Sequence, residues 1–284
     1  MAHCGAGTRR NGTADTLVAS ALLAYRPSQI VAEVTPQSFV VPARVLHPGA
    51  PTRWLQLGWA DLRRAPRQSL AWGAVTALLS ITISAIAWRW GSFWLLLAML
   101  SGFVFIAPML AIAPYSISSQ LARGQRPSLR RCIADQLRLR GTAMVFALVL
   151  LVIFLVWARA ASMISVFFPF EGNPAWRELL PYLAIGSAVG SIFALLCFSV
   201  SAFSLPLMHE HDVDAITAVV SSLNAVLRNK RAMALWVAII VTAVLLGAAT
   251  GFLGFIVTMP LLGHATWHAC RETVDTAGWS PRPA

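Results

Sequence analysis

Six histidines are spread over 284 residues, and four of them fall in two short groups. His264 and His268 stand four apart in Gly263-His264-Ala265-Thr266-Trp267-His268, which puts both imidazoles on one helix face. His209 and His211 flank Glu210, with Asp212 and Asp214 just beyond. Imidazoles at such spacing chelate a metal or flank a haem. Two of them fall short of the three or four protein ligands that zinc takes. The same residues also suit a structural use. A histidine at a helix end hydrogen-bonds free carbonyls or lipid phosphates, and Trp267 is an interfacial residue type. Arg159, in Val156-Trp157-Ala158-Arg159-Ala160, is a cation within an apolar run, a candidate by default inside a membrane. It stands roughly 10 Å from the outer end of its segment, close enough to reach the interface or Glu171 or Glu178. No catalytic set accompanies these residues: GxSxG, HExxH and a Walker loop are all missing. Cys4, Cys132, Cys197 and Cys270 are scattered without metal spacing. The expectation is a chain that is not an enzyme and has no cofactor unless the histidines hold haem or metal.

The elements that position these residues follow from composition. The chain is 57% hydrophobic and 12% charged, and its mean hydropathy is +0.68. A soluble domain carries roughly 25% charged residues, so a soluble globule, a disordered chain and a disulfide scaffold are excluded. The class is all-α: a polytopic membrane protein. At about 20 residues per span, the apolar runs predict six transmembrane helices, at about 70–88, 93–113, 142–166, 183–205, 232–249 and 251–268. The last two come from one run, Ala232 to His268, too long for a single span and split near Thr250 by the Gly247–Gly254 segment. Residues 53–275 form the membrane domain. Residues 1–52 are a poorly ordered tail, in which Leu17–Tyr25 after Arg9 and Arg10 imitates a signal peptide too short to serve. Residues 276–284 are a second short tail.

Charge gives the orientation. Of 22 basic residues, Arg89, Arg159 and Arg177 fall on one side of the spans and the rest on the other. The positive-inside rule makes both termini cytoplasmic. The net charge of +11 is then a topology signal and an attraction to anionic lipid headgroups, not a footprint of nucleic acid. Amphipathic segments at 53–68, 123–140 and 212–231 each precede a span and suit cytoplasmic-surface helices. Pro108, Pro206 and Pro260 each open a Pro-apolar-apolar step near a cytoplasmic helix end, so the spans read as three repeated hairpins. Gly186 and Gly190, with Ala194, make a small-residue stripe suited to helix packing. In 212–231, Asp212 or Asp214 caps a helix whose far end carries Arg228, Lys230 and Arg231, with Asn224 and Asn229 placed to lock it down.

The segments GWADLRRAPRQSLAWG, WARAASMI, SLPLMHEHDVDA and MPLLGHATWHACRETV resemble a bacterial inner-membrane family, domain of unknown function 2189. Its members are sometimes labelled cytochrome c oxidase subunits. The resemblance runs over about 53–275, is most specific at GHATWH, and leaves 1–52 outside. It implies a bacterial inner-membrane location. In the family pattern a charged pair stands where this chain has His209 and His211, which counts against these two as ligands. A haem-copper oxidase core needs more spans and more ligand histidines than this chain offers, so the label implies association with a membrane complex rather than oxidase chemistry. Three readings result: a non-enzymatic accessory, scaffold or assembly factor beside other membrane-complex subunits; a small-solute transporter or channel, which the proline-broken helices suit; and a haem or metal protein using His264 and His268.

Overall fold

The computed structural model describes Met1 and residues 39–90, 93–168 and 175–282. Residues 2–38 of the expected tail, with its signal-like stretch, and Glu171 lie outside the described residues. The chain divides after Ser38, and the following description concerns the unit that begins at Phe39. Nine helices are described in it: α1 (Ala50–Arg64), α2 (Pro66–Trp90), α3 (Phe93–Ala122), α4 (Leu129–Phe167), α5 (Trp176–Ser201), α6 (Ser204–Glu210), α7 (Ala215–Arg228), α8 (Lys230–Ala249) and α9 (Phe255–Thr273). No strand is described; Ala43 pairs with Val274 and His211 with Pro281 as isolated bridges.

Four stretches among the described residues are long and apolar enough to cross a membrane: Pro66–Trp90, Leu129–Phe167, Leu179–Glu210 and Lys230–Ala249. At most 22% of any of their apolar windows is buried, which leaves apolar surface for lipid. The buried core sits at one end of the molecule. It gathers Val41, Trp54, Tyr115, Phe146, Phe203, Trp236 and Trp267. These come from the segment before α1, from α1 itself, from the adjoining ends of α3, α8 and α9, from the middle of α4 and from the α5–α6 joint.

Several boundaries differ from the sequence expectation, each for a physical reason. Pro66 ends α1 as expected, but α1 is docked rather than spread on a surface: Trp54 is fully buried, edge-on to Trp236, and only Trp59 of its two indoles is exposed. α3 runs on past the expected span end at 113 to Ala122, because its serines bond inside the core instead of to water. The basic segment 123–140 and the following span merge into the single 39-residue α4. The fourth span breaks at Ala202-Phe203, just ahead of Pro206, whose missing N–H cannot continue the helix ladder. The last apolar run does split, at Thr250–Gly254, where Gly251 takes φ +63° and Phe252 φ +69°. Asp214 is the cap of α7, accepting from the Ile216 and Thr217 amides. Ahead of α1, residues 39–49 are stitched down. The Val41 amide donates to Ser221 Oγ, the Leu46 amide to Asn229 Oδ1, and Asn229 Nδ2 to the Arg44 carbonyl.

Candidate functional site

α9 is the axis of the packed end, and three glycines let it lie there. A Cβ on Gly58 of α1 would stand 2.8 Å from the Ala265 amide nitrogen, one on Gly73 of α2 2.0 Å from the Ile256 carbonyl oxygen, and one on Gly263 2.4 Å from the Pro114 ring of α3. The prolines add docking points. Pro260 and Pro114 cannot donate to the carbonyls four residues back. The freed Ile256 carbonyl receives the Gly73 backbone, and the freed Leu110 carbonyl accepts from Trp72 Nε1 at 2.8 Å. Pro108, Pro206 and Pro260 are all buried.

This close packing places His264 wholly out of solvent. Its Nε2 is 2.9 Å from Ser69 Oγ of α2 and its Nδ1 2.8 Å from Ser118 Oγ of α3. Both ring nitrogens are therefore occupied, and either tautomer is satisfied because a hydroxyl donates or accepts. One turn on, His268 Nε2 lies 2.8 Å from Asp61 Oδ2. Asp61 is 5% exposed. Burial pushes its carboxyl up, but hydrogen bonds from His268 and Ser118 outweigh this and hold it below the usual carboxylate range. Glu272, a further turn along, accepts from Trp54 Nε1 and pairs with Arg53.

A second group lies across α3. His209 sits between two carboxylates, its Nε2 3.6 Å from Asp135 Oδ2 and its Nδ1 3.2 Å from Glu210 Oε1. Ser116 donates to Asp135, and Trp267 Nε1 donates to Glu210 at 3.0 Å. The buried run Ser116–Gln120 thus serves both groups.

Of the four histidines singled out by spacing, three enter this polar core. His211 does not: it pairs through its backbone with Pro281, and its Nδ1 is buried without a hydrogen-bond partner. Among the described residues no three His, Cys, Asp or Glu side chains are grouped to hold a metal. Arg159 is exposed on α4, and the side chains of its two expected acidic partners are not among those described. Gly186 and Gly190 bring no helix into close contact. A Cβ on Gly186 would meet nothing within 4 Å and one on Gly190 only Trp157 Nε1 at 3.7 Å. Both instead line apolar clefts between α4 and α5; the one with Gly190 has a volume of about 420 Å³. A third cleft, about 290 Å³, opens between α2, α3 and α9 and is lined mainly by apolar residues such as Trp72, Leu110 and Met259.

Sequence reasoning missed Asp61, Ser69, Ser118, Asp135 and Glu272 as partners. Signals existed for Asp61 and for the serine run that holds Ser118, and for none of the other three. Asp61 falls in the i, i+4, i+7 register of Trp54 and Gly58, hence on the inner face of α1. Ser116, Ser119 and Gln120 recur at helical spacing directly after an apolar span.

Residues 95–210 match the family model described as "Predicted integral membrane protein (DUF2189)". The match covers nearly all of α3 and all of α4, α5 and α6, with Ser118, Asp135 and His209, but neither α1 nor α9 with the GHATWH segment. No curated protein and no solved structure matches the chain.

Proposed function

We propose that this integral membrane protein is a non-catalytic accessory, scaffold or assembly factor beside other membrane-complex subunits. Its six spans, α2 with α3, α4 with α5, and α8 with α9, form three hairpins in a bacterial inner membrane, with both termini cytoplasmic. One observation carries the reading. In the buried polar core the ionisable side chains are engaged by other side chains of the same chain, so the core holds helices together rather than facing a substrate. The described clefts at span depth are lined mainly by apolar residues, and among the described residues no row of unsatisfied polar groups lines them. For the topology, the support is that residues 39–49 and the segments between α3 and α4, between α6 and α8 and after α9 share the packed end, and that the described arginines other than Arg89, Arg159 and Arg177 lie in α1, in those segments or in the helix stretches that adjoin them.

Cross-linking in native membranes, mild solubilisation and mass spectrometry test the role. A stoichiometric partner protein is expected, and a lone particle counts against it. Flux of a broad solute panel into proteoliposomes addresses the transporter reading. Metal and haem content, compared between the wild type and the H264A/H268A variant, addresses the third. Thiol labelling of cysteines introduced at Ser280 and at Thr250 from opposite sides of intact cells tests the hairpins.

A further inference from the structure

The acidic residues at the packed end turn inward or bind locally. Asp61, Asp135, Glu210 and Glu272 bond within the core. Asp212 pairs with Arg282, Asp214 caps α7, and Asp275 pairs with Arg44. The cations are distributed differently. Between Leu62 and Ala134 there is no Asp or Glu, and the structure folds the basic parts of that stretch onto one corner. Gln68 Nε2 donates to the Pro127 carbonyl at 3.0 Å, and Ala65 packs in one buried cluster with Ile117 and Cys132. The α1–α2 joint therefore lies against the α3–α4 connection. Arg63, Arg64, Arg67, Arg123, Arg126 and Arg130 are exposed there. None of them has an ion-pair partner among the described residues.

We propose that this corner binds the headgroup of an anionic phospholipid carrying more than one negative charge. The proposal rests on the reading that α2 and α4 cross a membrane. Arg67 is the second residue of the candidate span Pro66–Trp90, which sets the corner at headgroup level. The Ser128 side chain makes no cap bond at the start of α4, which begins at this corner, and helix N-termini favour phosphate. Guanidinium groups match phosphate oxygens in bidentate fashion. Apolar rims stand beside them: Trp59 is 45% exposed one turn before Arg63, and Leu129 is 38% exposed next to Arg130. A soluble phosphate would have no use for such rims, whereas the glycerol and upper acyl chain of a lipid cover them.

The test uses the full chain in bilayer discs of phosphatidylcholine, with or without diphosphatidylglycerol, and measures the lipid retained by mass spectrometry. Wild type is expected to enrich the diphosphate lipid. The R63Q/R64Q/R67Q variant is expected to lose about a hundredfold in preference, and R63K/R64K/R67K to keep most of it. R228Q/K230Q/R231Q removes the same charge elsewhere and is expected to change the preference less than threefold. Equal losses from the two neutralising triples reduce the effect to net charge and overturn the site. So does the absence of enrichment in wild type. Displacement by millimolar inorganic phosphate, or retention of RNA at the corner in place of lipid, assigns it to another ligand and overturns the lipid. Whether the wild type resists alkaline extraction from membranes is scored separately, so failure of the membrane reading is distinguishable from failure of the site.

Discussion

His264 is the residue on which the polar core turns. Replacing it with alanine removes both nitrogen contacts, strands the Ser69 and Ser118 hydroxyls and opens a void. H264A is expected to cost roughly 2–4 kcal/mol, read as a lower unfolding midpoint in detergent, with little change in helix content. Asp61 gives a pH signature. Its folded carboxyl titrates below the usual range, so the stabilisation is present above its unfolded pKa, about 3.9, and is lost as pH falls through the folded value. D61N is expected to flatten the acid limb of the stability profile below about pH 5. An unchanged limb would show that the pair does not contribute. The histidines were legible from spacing alone, but their partners were not. HxxxH displays two donors on one face and says nothing of which helices arrive there. His264 met serines from two other helices, and His268 met a carboxylate 207 residues away in sequence.

Glycine decides how closely the helices lie. Gly73→Ala would drive a methyl into the Ile256 backbone, which has no flexible end to yield. The expected cost is about 1–3 kcal/mol, with loosening of α2 from α9 visible as faster hydrogen exchange in both. Gly186→Ala meets open space. It is expected to stay within about 1 kcal/mol of wild type, on the stable side, since alanine is the better helix former. Spacing singled out Gly186 and Gly190 and passed over Gly73, because GxxxG marks a thin surface without saying whether a neighbour uses it. Gly58, Gly73 and Gly263 stand singly in sequence, yet each meets α9 or its α3 neighbour. The elements themselves were more legible. Apolar runs located the helices, and Pro66, Asp214 and the Gly247–Gly254 segment marked ends that the structure keeps. The serine-rich end of α3 was not legible, because polar residues mark a solvent-facing stretch and a buried one alike.

At the scale of the molecule, Asn229 ties sequence-distant parts into one unit. Its side chain accepts from the Leu46 amide and donates to the Arg44 and Ala225 carbonyls. N229A is expected to cost about 1–3 kcal/mol and to speed proteolysis between Phe39 and Gly49, while the helices stay protected. Equal protection in the variant would place the anchor elsewhere. Composition announced the membrane class and the asymmetry of charge. It did not announce that the apolar content divides into exposed spans and a single buried end with polar contents, since both kinds of surface use the same residues. α4 carries a consequence for where the protein can reside. A helix of 39 residues is about 58 Å long, nearly twice the roughly 30 Å hydrocarbon core. It holds no proline at which to bend. Whichever stretch the bilayer covers, close to half of the rod stands in headgroups or water, with Leu129, Ile133 and Leu137 exposed along its lower part. The chain is therefore sensitive to bilayer thickness: a thicker membrane covers more of that apolar edge, and a thinner one must tilt the rod or leave it wet.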